Sequence, residues 1–247
     1  MLLSVVIPCH NEAGNIGRTL DAVAERLVEE GIDFEIVAVD DHCSDGTVAE
    51  IHARQTREPR IRCVANTGPG GFGHAVRCGL NHFRGDAVAI VMADLSDAPE
   101  DLVAYHRILE SGSECAFGSR FVKGSQVIDY PSHKLVLNRL ANTFIRLLFG
   151  LRYNDVTNAF KAYRAEVIRG CTPLLSAHFN LTVEIPLKAI IRGYSYQVVP
   201  ISWRNRATGV SKLRIREMGS RYLFIVLYVL LERWLTGRDY SRRDPQP

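Results

Sequence analysis

The sequence predicts an α/β fold, a mainly parallel central sheet flanked by helices, and three observations predict it. Four strand-like apolar runs alternate with helical patterns through short connections before a fifth strand, the order that gives parallel strands with right-handed crossovers. The strand runs are continuously apolar rather than alternating, as a sheet buried on both faces requires. Acidic residues follow directly after two of them, at the carboxyl ends where open α/β sheets bind ligands. With 247 residues, 47% of them hydrophobic, the chain can bury one large core. The expected organisation is one α/β domain over residues 1–213, then an amphipathic helix and a polar tail over 214–247.

The elements follow in order. LLSVVIP, residues 2–8, is a short apolar run ended by Pro8 and reads as a buried strand. Ile16, Leu20, Val23 and Leu27 recur at helical spacing until Gly31 stops the pattern. A second strand, Phe34 to Val39, leads into DDHCSDGT and a helix from Thr47 to about Gln55. A third, Arg60 to Ala65, precedes the glycine loop NTGPGGFG, residues 66–73, and a helix to about Phe83. That loop is either a loose phosphate cradle or a plain strand-to-helix connection, because it lacks both the P-loop ending and the dinucleotide spacing. A fourth strand, Ala87 to Met92, is followed by a helix to about Glu110 and a fifth strand, Glu114 to Gly118. Beyond it come a polar loop over 121–131, a long helix from Ser132 to Leu148, the segment NDVTNAFKAYR (154–164), and a helix near Thr182 to Arg192. A strand from Tyr196 to Ile201 and a last helix from about Arg214 to Leu235 complete the pattern.

A net charge of +3 is too small for general nucleic-acid binding, and the late excess of arginine directs any anionic partner to that end. Six scattered cysteines, with no C-x-x-C pair or histidine cluster, read as reduced thiols of a cytoplasmic protein. No signal peptide is expected before the first strand, and the longest late apolar run, Tyr222 to Leu231, has about half the length that spans a bilayer, so no transmembrane helix is predicted.

The stretch VMADLSDAPED, Val91 to Asp101, is where chemistry is expected. Asp94 and Asp97 stand just past a buried strand and suit a hard divalent cation such as Mg2+ or Mn2+, which one or two carboxylates plus substrate phosphates commonly hold. The alternative is that they cap the helix that Pro99 opens.

VVIPCHNE, VDDHCSDGT, the glycine loop, MADLSDAPED, FGSRF, DVTNAFKAYR and TGVSKL, spread over residues 3–213, stand in the order and approximate spacing of glycosyltransferase family 2. The chain resembles that family, within it the branch of dolichyl-phosphate mannose synthases and polyprenyl-phosphate sugar transferases. The resemblance implies a GT-A fold and an inverting, metal-dependent hexose transfer from a nucleotide sugar, GDP-mannose or UDP-glucose, to a polyprenyl phosphate. Pro8, Asn11 and Glu12 would border the nucleotide, Asp40 would meet its base or ribose with Asp41 nearby, and Asp94 would hold the cation. Met92, Ser96 and Asp97 depart from the pattern, standing where an Asp, a Gln and a His are usual; a thioether is a poor ligand for a hard cation. The ion is then expected on Asp94, with Ser96 or Asp97 and the donor's phosphates.

Arg120 and Arg139 match the family's basic residues for the acceptor phosphate; Arg139 reads equally as part of a solvated face. Arginine suits the task because its planar fork binds phosphate and stays charged. Arg206 and Lys212, beside Ser211, would neutralise the leaving diphosphate, and Asp155, Thr157 and Asn158 would line the sugar site or form an ordinary turn. A phosphate monoester is already anionic near neutral pH, so no strong general base is required. The apolar pieces Leu140 to Leu151 and Tyr222 to Leu231, both near arginines, are expected either at the cytoplasmic membrane face or against the sheet or a second subunit. Two rival readings stand beside the first. One is transfer to a soluble hydroxyl acceptor, with Asp97 or Asp155 as base; the other is a non-catalytic nucleotide-sugar-binding subunit.

Overall fold

The computed structural model of the protein describes residues 1–205, 215–236 and 239, the side chains of 215–218 excepted. β1 (Leu3–Cys9), β2 (Phe34–Asp40), β3 (Ile61–Ala65) and β4 (Ala87–Ile90) are parallel and lie in the order β3-β2-β1-β4. α1 (Ile16–Glu29), α2 (Thr47–Gln55) and α3 (Phe72–His82) connect them. β1 is buried along its whole length, which is why its sequence does not alternate. α1 buries the expected stripe of Ile16, Leu20, Val23 and Leu27, and Gly31, at φ +64°, ends the turn beyond it in a conformation that favours glycine.

The second half continues with α4 (Pro99–Glu110), β5 (Cys115–Ser119), β6 (Gln126–Ile128), α5 (Ser132–Phe149), β7 (Lys161–Arg164), α6 (Ala165–Gly170), α7 (Leu181–Ile191), β8 (Tyr196–Pro200), β9 (Ser202–Arg204) and α8 (Ile215–Leu235). The main sheet runs β3-β2-β1-β4-β7-β5-β8, and only β7 is antiparallel to its neighbours. The reason is where β7 begins. The chain between α5 and β7 has already climbed to the carboxyl ends of the parallel strands, so the next strand descends. The polar loop expected over 121–131 contains β6, which pairs with β9 as a separate two-stranded sheet. Three-residue strands carry no readable period, and the six residues of α6 are too few for a helical one.

Alternate residues of the same strands face two apolar layers. Leu3, Val5 and Ile7 meet Leu20, Leu27, Leu102 and Tyr105 on one side. Val6, Val37 and Val39 meet Val76, Phe117, Tyr153 and Leu181 on the other. α8 belongs to that second layer through Ile225, Val226, Val229 and Leu230, and a buried ion pair of Arg192 with Glu232 at 2.6 Å fastens it to α7. Its outward face carries Leu223, Phe224, Leu227 and Leu231, so the two faces of this helix differ in what covers them more than in polarity. The boundary expected at 213/214 falls outside the described residues. All six cysteines are free thiols, as composition indicated.

Candidate active site

At the carboxyl ends of the parallel strands the loops enclose a cavity of about 660 Å³. One wall is the acidic loop after β4. Leu95 sits there at φ +54°, a left-handed conformation that costs a leucine about 1 kcal/mol or more, and it separates Asp94 from Ser96. The Ser96 N–H donates back to Asp94 Oδ1 at 3.1 Å, while the Met92 N–H donates to Asp97 Oδ2 at 3.3 Å. Asp94, Ser96, Asp97 and Met92 all line the cavity. Burial, then the neighbouring Asp94 charge, pushes the Asp97 carboxyl up to about 7, against the Met92 N–H and the Arg120 charge.

The capping alternative for these carboxylates does not hold. Ala98 occupies the N-cap of α4 with no side-chain cap, and Asp101 in the first turn accepts the Ser202 N–H at 2.9 Å. β9 therefore straps the acidic loop from outside, with Arg204 N–H donating to Ser96 O at 3.0 Å and Ala98 N–H to Ser202 O at 3.3 Å. This places Trp203 on the cavity wall, its ring 4.8 Å from that of Tyr130.

The loops after β1 and β2 and the glycine loop form the opposite side. Pro8 and Glu12 line the cavity as expected. Of the two adjacent aspartates it is Asp41 that lines it; Asp40 is turned aside and accepts the Cys43 N–H at 2.8 Å. Asn11 also lies off the wall, its Oδ1 taken by the Ser44 N–H at 2.8 Å. Asp41 in turn shapes the glycine loop. Its Oδ1 accepts Asn66 Nδ2 and its Oδ2 accepts the Gly71 N–H, both at 2.8 Å. Gly71, at φ +138°, and Gly73 press against residues 176–178, whose Ala177 carbonyl accepts the Gly73 N–H at 3.0 Å. A Cβ at Gly73 would stand 2.4 Å from the Ser176 carbonyl oxygen. Gly73→Ala is expected to lower stability by about 1–3 kcal/mol in a denaturant titration and to weaken nucleotide binding in parallel.

The third wall is the turn before β7. Thr157 and Asn158 reach the cavity, whereas Asp155 lies behind them, fully buried. Arg120 lines the cavity but is 9% exposed, and its guanidinium is committed to Asp155 through Nε at 2.8 Å and Nη2 at 2.7 Å. Burial alone would lower the Arg120 pKa, yet the Asp155 charge and hydrogen bonds raise it above the ordinary value. A guanidinium already paired this closely is not the open phosphate receptor expected from the sequence. Arg139 is off the wall altogether, stacked 4.4 Å over the Phe121 ring and donating to Asn154 O at 3.3 Å. Lys134 and Asn138 line the cavity in its place, and Asn142, one turn further, binds Thr157.

Helical geometry explains that exchange: 134, 138 and 142 share a face at i, i+4 spacing, and residue 139 is rotated about 100° from 138. Arg221, in the second turn of α8, supplies a second cation to the wall, and neither it nor Lys134 is ion-paired among the described residues. Sequence reasoning also missed Tyr130, Phe179, Trp203 and Tyr222, lone aromatics that no local period marks. Arg206, Ser211 and Lys212 lie outside the described residues.

Among the described residues no three His, Cys, Asp or Glu side chains could hold a metal ion by themselves. Asp94 with Asp97 nonetheless fits a hard cation that shares its coordination with a ligand's phosphates, since an ion there offsets the repulsion between the two carboxylates.

Comparison with known proteins identifies the family and the fold. Residues 4–171 match the family model described as glycosyl transferase family 2. A polyprenol monophosphomannose synthase of Mycolicibacterium smegmatis is 34% identical over 86% of this chain and 82% of its own length. An undecaprenyl-phosphate mannosyltransferase of Micrococcus luteus is 27% identical over 95% and 96%. A dolichol-phosphate mannosyltransferase of Pyrococcus furiosus is 32% identical over 87% of this chain, which spans 60% of that protein's length. Among solved structures, glucosyl-3-phosphoglycerate synthase of Mycobacterium tuberculosis with uridine diphosphate has the same fold at 19% identity, with a TM-score of 0.68 over 94% of this chain and 79% of its own. The same enzyme has been solved with Mn2+, the diphosphate and its glucosylated product, also at a TM-score of 0.68.

Proposed function

The chain belongs to glycosyl transferase family 2, and from that premise we propose an inverting transfer of mannose from a nucleotide sugar to a polyprenyl phosphate. The observation that carries the reading is one cavity bearing both a carboxylate pair, Asp94 and Asp97, and two cations without carboxylate partners among the described residues, Lys134 and Arg221. The first suits a cation-bound diphosphate, the second a monophosphate. Pro8, Glu12 and the glycine loop border the donor, with Asp41 holding that loop in shape. Thr157 and Asn158 face the sugar. Asp94, with Ser96 and Asp97 beside it, would hold Mg2+ or Mn2+, and the ion when bound supplies charge neutralisation to the leaving diphosphate. Arg206 and Lys212, with Ser211, are proposed to assist from the segment after β9.

Lys134 and Arg221 receive the acceptor phosphate, which near neutral pH is nucleophilic without a base. Arg120 takes a different part from the one its sequence context implied, fixing Asp155 and the turn behind the sugar. That assignment weighs against a hydroxyl acceptor. Such an acceptor needs a carboxylate base, yet Asp155 is fully buried and paired, and Asp97 is assigned to the cation beside Asp94. Mannose is the sugar named in the three relatives. The test supplies the protein with Mn2+, labelled GDP-mannose or UDP-glucose, and either undecaprenyl phosphate or a soluble sugar alcohol. Label in the lipid product from GDP-mannose is expected; label only in the soluble product contradicts the reading. Lys134→Ala is expected to raise KM for the lipid phosphate roughly 10–100-fold, as loss of a charge-assisted contact does, with nucleotide binding unchanged by calorimetry.

The lipid tail requires an apolar surface, and two helices that line the cavity, α5 and α8, provide one. α5 exposes Leu137, Leu140 and Leu147, α8 exposes Phe224, Leu231 and Trp234, and Arg146 and Arg233 stand beside them. Among the described residues no helix is long and apolar enough to cross a membrane. The proposed partner is therefore the surface of an anionic leaflet. Co-sedimentation with vesicles rich in anionic phospholipid, weakened by salt and by Leu140→Glu with Leu147→Glu, is the expected result. A stable dimer that leaves vesicles unbound would assign these faces to a second copy instead.

A further inference from the structure

The geometry points to Lys161 as a positioning residue, the post around which the sugar-facing turn 155–158 is wound. This inference rests on the transfer reading above. Lys161 opens β7, is 1% exposed, and makes no ion pair among the described residues. Its ammonium instead donates to three main-chain carbonyls: Val156 O at 3.0 Å, Asn158 O, and Thr182 O at 3.2 Å. Burial pushes the Lys161 amine down to about 7 against the pull of the Asp155 charge, and the three acceptors match the three N–H bonds of its protonated form.

The third of these acceptors has a cause. Pro186 stands inside α7, and with no N–H it cannot bond the carbonyl four residues back, which is Thr182. Lys161 supplies the missing donor and so ties the turn to a helix that is itself anchored in the core. The remaining groups of the turn are held from other sides. Thr182 Oγ1 donates to Thr157 O at 3.2 Å, the Thr157 N–H donates to Asn142 Oδ1 at 3.1 Å, and Asn158 Nδ2 donates to Gly118 O at 3.1 Å. Among the described residues Lys161 alone binds the carbonyls on both sides of Thr157, so its removal loosens the two residues that face the cavity while leaving the acidic loop and the glycine loop untouched. It also loosens Asp155, whose charge is committed to Arg120.

The test compares wild type, Lys161→Met and Lys161→Arg in the lipid-transfer assay, with nucleoside diphosphate binding and thermal midpoint measured alongside. Lys161→Met is expected to fold, to bind nucleoside diphosphate with Mn2+ within about threefold of wild type, and to lose at least about tenfold in kcat, the loss appearing in kcat rather than in donor KM. Lys161→Arg, which keeps a cation and several donors, is expected to recover most of that loss. Should the Met variant not fold, the Arg variant decides: kcat within about tenfold of wild type supports the role, and normal nucleotide binding with no transfer overturns it. A Met variant with wild-type kcat, or one whose rate and nucleotide binding fall together, also overturns it. Wild type that makes no lipid product overturns the transfer reading itself, which distinguishes the two failures.

Discussion

Asp94→Ala is expected to abolish transfer with the fold retained: kcat/KM should fall at least about a thousandfold, ~4 kcal/mol of transition-state stabilisation. The size follows from the site's poverty in ligands. Among the described residues no three metal-binding side chains stand together, and beside Asp94 the cavity wall offers only the Met92 thioether, the Ser96 hydroxyl and the Asp97 carboxyl, which burial and the Asp94 charge push up to about 7. A cation that leans on one well-placed carboxylate and on the donor's own phosphates loses most of its protein contribution when that carboxylate goes. The sheet should not register the change, because Asp94 lies beyond the last paired residue of β4 and the strand registers do not involve it. Lipid-transfer rates, Mn2+ titration with nucleoside diphosphate present and circular dichroism together check the prediction. An active variant, or an unfolded one, contradicts it.

Arg120→Met should act through a different quantity, stability. It strips the partner from Asp155, which is fully buried and accepts two side-chain bonds and the Arg120 N–H. Removing one member of a buried ion pair costs about 3–5 kcal/mol because the other is left charged or forced to take up a proton. Adding Asp155→Leu should restore much of the lost stability, since a buried pair replaced as a unit is often nearly neutral, yet should not restore transfer, because the turn that carries Thr157 and Asn158 has lost its anchor. Denaturant midpoints on the two single variants and the double variant supply the cycle. If Arg120→Met keeps wild-type stability and loses only lipid binding, Arg120 contacts the acceptor phosphate after all.

The contrast between these two residues shows what a sequence discloses. The parallel half of the sheet was legible because burial on both faces writes itself as unbroken apolar runs, and α1, α2 and α4 carry their own stops at Gly31, near Gln55 and at Glu110. Asp94 was legible for the same reason, since a carboxylate after a buried strand must stand at the sheet's carboxyl edge. The antiparallel β7 was not, because strand direction depends on where the preceding segment ends in space. The choice among Arg120, Lys134 and Arg139 was also hidden. All three are basic and near the right loop, and only packing reveals that one is neutralised by Asp155, one is turned onto Phe121, and one is open to the cavity. Asp40 and Asp41 repeat the lesson, because adjacent residues at a strand end point to opposite sides and the sequence marks neither side as the cavity. Lys161 was the least visible, a charged residue inside a strand whose partners are carbonyls, one of them left open by a proline 25 residues away.

Everything assigned to the cavity depends on the donor's diphosphate meeting Asp94, and diffraction from a crystal grown with nucleoside diphosphate and Mg2+ measures that directly. The expected result is an ion bridging the Asp94 carboxylate and the diphosphate at about 2.0–2.1 Å, with the nucleoside between Pro8 and the glycine loop. A nucleotide seated on another face, or an ion coordinated without Asp94, contradicts the account.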